Sequence, residues 1–507
     1  MEALMSADSS HSSTDNYDVI IIGGGAVGEN VADRAVQGGL TALIVEHELV
    51  GGECSYWACM PSKALLRSAQ ALRSASRVPG AAEAITGSLD VAAVLARRNY
   101  MTSDWSDDGQ VSWLNSAGID LARGHGRISG PREVTVQGDD GQSRIITATH
   151  AVVIATGSDA LIPHIPGLAE SAPWTSREAT SVTDVPASLA IIGGGVIAVE
   201  MATAFASFGT NVTIIARSSL LGGLEPFAGE MVAASLRESG VTVLLDTETV
   251  RVSTSGAEDA PDATTLELGD GSTVTAEKVL VATGRTPRTT DIGLDTLAGD
   301  DGAGADGAGA DGAGALTPGE WIRTDDTMRV QGFDWLYAVG DVTKRALLTH
   351  QGKYQARAAG DVIAARATGA EVDDAPWGTH VATADHEAVP QVTFSDPAVA
   401  SVGLTAEAAK KAGYNIRVVD YEIGKVAGAY VHEDGYTGTA RMVVDESRSV
   451  ILGVTFVGPD VSELLHAATI AIVGEVPIAR LWHAVPAYPT INEVWLRLLE
   501  TYGRPGS

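Results

Sequence analysis

The chain is short of cysteine, of aromatic residues and of positive charge. Of its 507 residues 2 are Cys and 5% are aromatic, and 34 Lys+Arg stand against 64 Asp+Glu for a formal net charge of −30. Two cysteines cannot build a disulfide framework; Cys54 and Cys59, close together near the start, read instead as a local, reversible redox pair in a reducing compartment. The excess of acid argues against nucleic acid or an anionic membrane surface as partner, while leaving room for a basic pocket of nucleotide size. No apolar run reaches the roughly 18–20 residues of a membrane span. Residues 1–16, rich in Ser and Asp, carry neither the basic nor the apolar region of a secretion signal and read as a disordered tail, so a cytoplasmic location is expected.

What is abundant is the apolar fraction, 45%, and glycine, 57 residues. A length of 507 suggests about three domains, each able to bury a core. Residues 17–22 (YDVIII) read as a buried parallel strand that runs directly into Gly23, Gly25 and Gly28 of a G-x-G-x-x-G turn, followed by a helix. A second strand, residues 42–45, ends in Glu46, whose carboxylate suits a ribose hydroxyl pair. This is a dinucleotide-binding unit, with the helix start facing the phosphates. A second copy follows: residues 189–192, then Gly193 and Gly195, a helix over about 199–208 and a strand over 212–215. There the acid position holds Ala216, followed by Arg217. A carboxylate would repel a 2′-phosphate and a guanidinium accepts one, so these residues favour NADPH, with NADH possible; the plainer reading of Arg217 is a solvated charge at a strand end.

Two further strands end in Ala-Thr-Gly, at Gly157 (residues 151–157) and Gly284 (residues 278–284), and mark crossovers back into nucleotide-binding folds. The strand 335–339 ends in Gly340-Asp341, a carboxylate placed for a sugar-like chain. Residues 300–315 repeat Asp-Gly-Ala-Gly-Ala and read as a disordered insertion. From about residue 390 alternating runs at 417–421, 440–444 and 451–456 read as antiparallel strands, and 462–473 and 491–500 as helices, an α+β domain suited to packing or dimerisation.

The run Gly51-Gly52-Glu53-Cys54-Ser55-Tyr56-Trp57-Ala58-Cys59-Met60-Pro61-Ser62-Lys63 follows the first unit. Placed there, it resembles the signature of the class I pyridine nucleotide-disulfide oxidoreductases, the group of dihydrolipoamide dehydrogenase, glutathione and mycothione reductases and mercuric reductase. The resemblance covers residues 17 to about 500. It implies an α/β fold with two Rossmann-like dinucleotide-binding domains, for FAD and NAD(P), and a C-terminal α+β dimerisation domain. The boundaries expected are 17–160 and 287–375 for the two parts of the FAD domain, 161–286 for the NAD(P) domain and 385–507 for dimerisation. It further implies that FAD uses Gly23, Gly25, Gly28, Glu46, Gly157 and Asp341, and that NADPH uses Gly193, Gly195, Arg217 and Gly284. By the same resemblance Cys59 lies against the flavin and Cys54 exchanges with substrate, while Lys63 sits near the flavin and pairs with Glu200. Pro61 is expected to start a regular helix whose dipole favours a thiolate at Cys59.

Three departures stand out. A tyrosine that gates the flavin in many reductases is Val196 here. The family's C-terminal His-Pro-Thr-x-x-Glu, in which the histidine of a homodimer's second subunit serves thiol exchange, reads Tyr488-Pro489-Thr490-Ile491-Asn492-Glu493. A phenol of ordinary pKa about 10 does not shuttle protons near neutrality as imidazole does. His483 is the nearest substitute, although a packed histidine is the plainer reading. Finally, Tyr56 and Trp57 between the cysteines either stack on a planar acceptor such as a quinone or fill a local core. The expectation is therefore an NADPH-dependent FAD enzyme reducing a disulfide or related small acceptor. The alternatives are a quinone or general acceptor reductase and, from another class, a slow redox-sensing flavin-binding protein. The extra cysteine pair of mercuric reductases is missing, and soluble transhydrogenases lack the second cysteine present here.

Overall fold

A computed structural model describes residues 16–254, 263–297 and 316–504. The repeat at 300–315 and the tail 1–15 lie outside the described residues; Asn16, expected in the tail, begins the first strand. The chain forms two compact units, one of Met1–Gly51, Asp107–Ser158 and Pro287–Ala382, the other of Gly52–Ser106, Asp159–Thr286 and Thr383–Ser507. Residues 52–106 thus cluster with the second unit, whereas the sequence reading runs the first domain unbroken from 17 to 160.

In the first unit the strand Asn16–Ile22 lies between Ala42–Glu46 and Ser143–Ile154, parallel to both, with Asp120–Arg123 beyond the former. Leu336–Ala338 pairs parallel with Ser143–Ile154, and His125–Gly130 and Glu133–Gln137 extend the sheet antiparallel. The run VIII is continuous because both faces are covered. Val19 and Ile21 face one core with Val31, Ala35 and Val362, and Ile20 and Ile22 face another with Val134, Leu336 and Val342. On the first face lie two helices, Ala26–Gln37 and Thr349–Thr368.

The second unit holds a parallel sheet in the order Thr242–Leu244, Asn211–Ile215, Ser188–Ile192, Lys278–Val281, with the helix Val196–Ser207 starting three residues earlier than the pattern suggested. Its C-terminal part is a five-stranded antiparallel sheet containing Ile416–Glu422, Thr439–Asp445 and Val450–Gly458. The helix expected over 462–473 divides into a 3-10 turn, Val461–Leu464, and a helix, Leu465–Val473; the last helix is Glu493–Tyr502.

Candidate functional site

The first cradle is built in the first unit. Gly23 has φ +108°, and a Cβ there would stand 2.4 Å from the Ala155 carbonyl oxygen; one on Gly28 would stand 2.0 Å from the Gly23 oxygen. Helix and strands therefore close to a distance that only glycine allows. Gly25 caps the helix Ala26–Gln37 without a side-chain hydrogen bond, which leaves the first amides of that helix for an anionic ligand. Glu46 is buried at the end of its strand, where Gly24 N donates to Oε2 at 2.6 Å and Glu48 N to Oε1 at 2.7 Å. The carboxylate shapes the glycine turn, and each oxygen keeps a second lone pair with which a sugar hydroxyl could pair. Asp341 Oδ2 accepts from Ser158 Oγ at 2.6 Å, and Gly157 lies just before that serine. These residues fit an FAD chain: a glycine turn, uncapped helix amides and carboxylates at strand ends. The sequence reading missed Glu29, directly after Gly28. Its Oε1 is buried without a hydrogen-bond partner, and burial pushes its pKa from 4.5 up to about 7, with Lys353 pulling the other way.

The second cradle repeats the arrangement in the second unit. A Cβ on Gly193 would meet the Ala282 oxygen at 2.2 Å, whereas one on Gly195 would meet nothing within 4 Å. No protein atom requires glycine at 195, so the open space there fits an approaching pyrophosphate. Ala216 is buried 3.1 Å from where a Gly194 Cβ would stand, and Arg217, exposed, has no ion pair among the described residues. Gly284 accepts at its carbonyl from Leu161 N at 3.0 Å.

Also in the second unit, Cys54 lies in a short helix, Gly52–Tyr56, and Cys59 is the first residue of a long one, Cys59–Ser76. The long helix therefore starts two residues before Pro61, and the cysteines sit on two helical segments. Proline is tolerated because the first turn needs no amide there. Both cysteines are half-buried. Lys63, one turn beyond Cys59, donates to Glu200 Oε2 at 2.8 Å. Glu200 is buried and its other oxygen accepts from Phe394 N at 3.0 Å, while the Lys63 ammonium lies 4.9 Å from the centre of the Phe394 ring. This pair, anchored to a backbone amide, holds a cation one helical turn from a thiol.

Of the two aromatic residues between the cysteines Tyr56 fills core, and Trp57 is half-buried. Tyr56 is 1% exposed, and the Arg177 guanidinium covers a face of Trp57 at 3.9 Å. At the C-terminal end Tyr488 is 77% exposed, whereas Glu493 is buried and accepts from Gly428 N at 3.0 Å. A Cβ on Gly428 would lie 2.0 Å from the Thr490 carbonyl carbon, so the segment bearing Tyr488 is fixed closely to that backbone. His483 is exposed, not packed as its plainer reading held.

Residues 17–361 match the family described as pyridine nucleotide-disulphide oxidoreductase, and residues 389–498 match its dimerisation domain. A mercuric reductase of Shigella flexneri is 31% identical over 99% of this chain and 84% of its own length. A dihydrolipoyl dehydrogenase of Chlorobaculum tepidum is 32% identical over 94% of this chain and 95% of its own. The fold is that of the HOCl-induced flavoprotein disulfide reductase RclA from Escherichia coli, with a TM-score of 0.77 at 23% identity over 96% of this chain and 99% of that one.

Proposed function

Within the pyridine nucleotide-disulphide oxidoreductases, the family to which this chain belongs, we propose that it passes electrons from NADPH through FAD to the Cys54–Cys59 pair and on to a small disulfide. The observation that carries this is the placement of Cys59 at a helix start, with Cys54 on the segment before it and the Lys63–Glu200 pair one turn after. A helix N-terminus and a nearby ammonium both favour a thiolate. Bound flavin supplies a two-electron carrier between nicotinamide and thiols.

The residues of the chain do the rest. Cys54 as thiolate attacks one sulfur of the acceptor disulfide, and the first acceptor thiolate leaves. Cys59 then attacks the Cys54 sulfur, the second acceptor thiolate leaves, and the pair is oxidised by two electrons. Arg217 receives the 2′-phosphate of NADPH. With two cysteines in the whole chain no second pair exists to hand on mercury, although the relative of that name is similar. The partner subunit of a homodimer, formed through residues 389–498, supports the acceptor site through the segment bearing Tyr488 and Glu493.

Tyr488 favours a second reading, a general acceptor reductase, because a phenol replaces the imidazole that speeds thiol exchange. Cys54→Ser and Cys59→Ser separate the two. Under the first, either variant reduces NADPH-dependent turnover of a small disulfide at least a hundredfold while turnover of a soluble quinone persists. Unchanged disulfide turnover contradicts the cysteine route and leaves the second.

A further inference from the structure

The short stretch between the cysteines is held from outside on two sides. Both carbonyls at the break between the helices accept side-chain donors: Trp105 Nε1 donates to Tyr56 O at 3.2 Å and Thr180 Oγ1 to Trp57 O at 3.0 Å. The Tyr56 hydroxyl donates to Ser106 O at 3.3 Å. On the other side Arg177 stacks on Trp57 and donates from Nε to Glu53 Oε1, the residue before Cys54, at 2.6 Å. Stacking and a charge-assisted bond together suit the planar guanidinium and not an ammonium.

These donors are themselves secured. Thr180 ends the helix Ser176–Thr180, which Thr175 and Glu178 start with a capping box. Arg98 is 1% exposed, donates to the carbonyls of Thr180 and Val182, and lies 5.1 Å from the centre of the Trp105 ring. Trp105 comes out of three successive left-handed residues, Ser103, Asp104 and Trp105, with φ of +51°, +50° and +58°. None is glycine, and side-chain-bearing residues rarely adopt this conformation. Strain of this kind persists where the surroundings over-determine it, and here it delivers the indole N–H to the inter-cysteine backbone.

We propose that Arg177 and Trp105 form a brace that preorganises the loop between Cys54 and Cys59 for disulfide closure and so sets the redox equilibrium of the pair. The proposal rests on the redox reading above. A disulfide tolerates a narrow range of Cα separation and dihedral angle; a loop already fixed by folding loses less freedom on closing, so its two thiols act at higher effective concentration. Loosening the brace shifts the pair toward the dithiol. In this role both side chains act through the loop backbone and Glu53, and both are positioning residues.

The test equilibrates the purified holoprotein anaerobically in mixtures of reduced and oxidised dithiothreitol, with thiols trapped by a maleimide and counted by mass. In the exchange the protein disulfide is reduced to two thiols as one dithiothreitol closes to its cyclic disulfide, so one S–S bond breaks, one forms, and two electrons and two protons move. Arg177→Ala is expected to shift the equilibrium about tenfold toward the dithiol, equivalent to ~30 mV in the oxidising direction, and Arg177→Lys to recover part of the shift. Trp105→Phe keeps a ring against Arg98 but loses the N–H, and is expected to shift the same way; it carries the test if Arg177→Ala does not fold. Wild-type equilibria in both folded, flavin-loaded variants, or shifts toward the disulfide, overturn the brace alone. A wild type that never forms the disulfide reversibly overturns the redox reading and the brace with it.

Discussion

At the scale of single residues, the two cradles differ most where their second strands end. The first has Glu46, buried and bonded to its own glycine turn; the second has Ala216 with the exposed Arg217 after it. An acid at the first position both orders the loop and repels a 2′-phosphate, and a guanidinium at the second invites one. Arg217→Glu is therefore expected to raise KM for NADPH by tenfold or more and leave KM for NADH within about threefold, about 1.4 kcal/mol or more of selective binding. Equal losses for the two nucleotides in steady-state kinetics would remove Arg217 from the phosphate site. The glycines and the Cys-x4-Cys run stand out in the sequence by their spacing, whereas the Lys63–Glu200 pair was implied only by the family resemblance and is brought together by the fold. Arg177, Trp105 and Glu29 do not stand out. Their roles depend on which distant backbone they reach, and no spacing rule records that Trp105 donates to Tyr56 or that Glu29 loses solvent.

Among elements, the helices Ala26–Gln37 and Thr349–Thr368 run side by side and in the same direction. Added Cβ atoms on Gly352, Gly360 and Gly38 would meet Val27 at 2.6 Å, Arg34 at 2.5 Å and Ala364 at 2.4 Å in turn. Their first turns lie at one end, and there Glu29 is half-buried, its Oε1 shut off from solvent, with Lys353 as the opposing charge. A carboxyl whose folded pKa is raised from 4.5 to about 7 binds its proton more tightly in the folded chain. Its contribution to stability is complete below about 4.5, fades as pH rises toward 7, and is flat above. Glu29→Gln should match wild type in thermal unfolding at pH 4.5 and exceed it at pH 8 by on the order of 2 kcal/mol. A difference independent of pH would show that Glu29 is not held neutral. The first two strands of each Rossmann unit could be read to within a residue from their β-branched runs, whereas the strand expected over 151–157 runs from Ser143 to Ile154. The start of the redox helix could not be read either: Pro61 looks like a first residue, yet Cys59 already has helical geometry because proline fits inside a first turn as well as at its beginning.

As a whole molecule the chain is a flavin-dependent pyridine nucleotide-disulphide oxidoreductase that carries a dimerisation domain. Among the described residues no helix is long and apolar enough to cross a membrane. The order of parts along the chain was legible, since each glycine fingerprint announces its own unit. The allegiance of residues 52–106 was not, because it is decided by packing: Leu65, Leu66 and Val94 share a core with Ala204 of the helix Val196–Ser207. The proposed route requires electrons to reach Cys54 and Cys59, and an anaerobic titration of the yellow holoprotein with NADPH, repeated with NADH, reads this out. The route predicts uptake of about two electrons with a long-wavelength absorption band before the flavin bleaches, reached at lower concentration with NADPH. Immediate bleaching without the band, for either nucleotide, would contradict it.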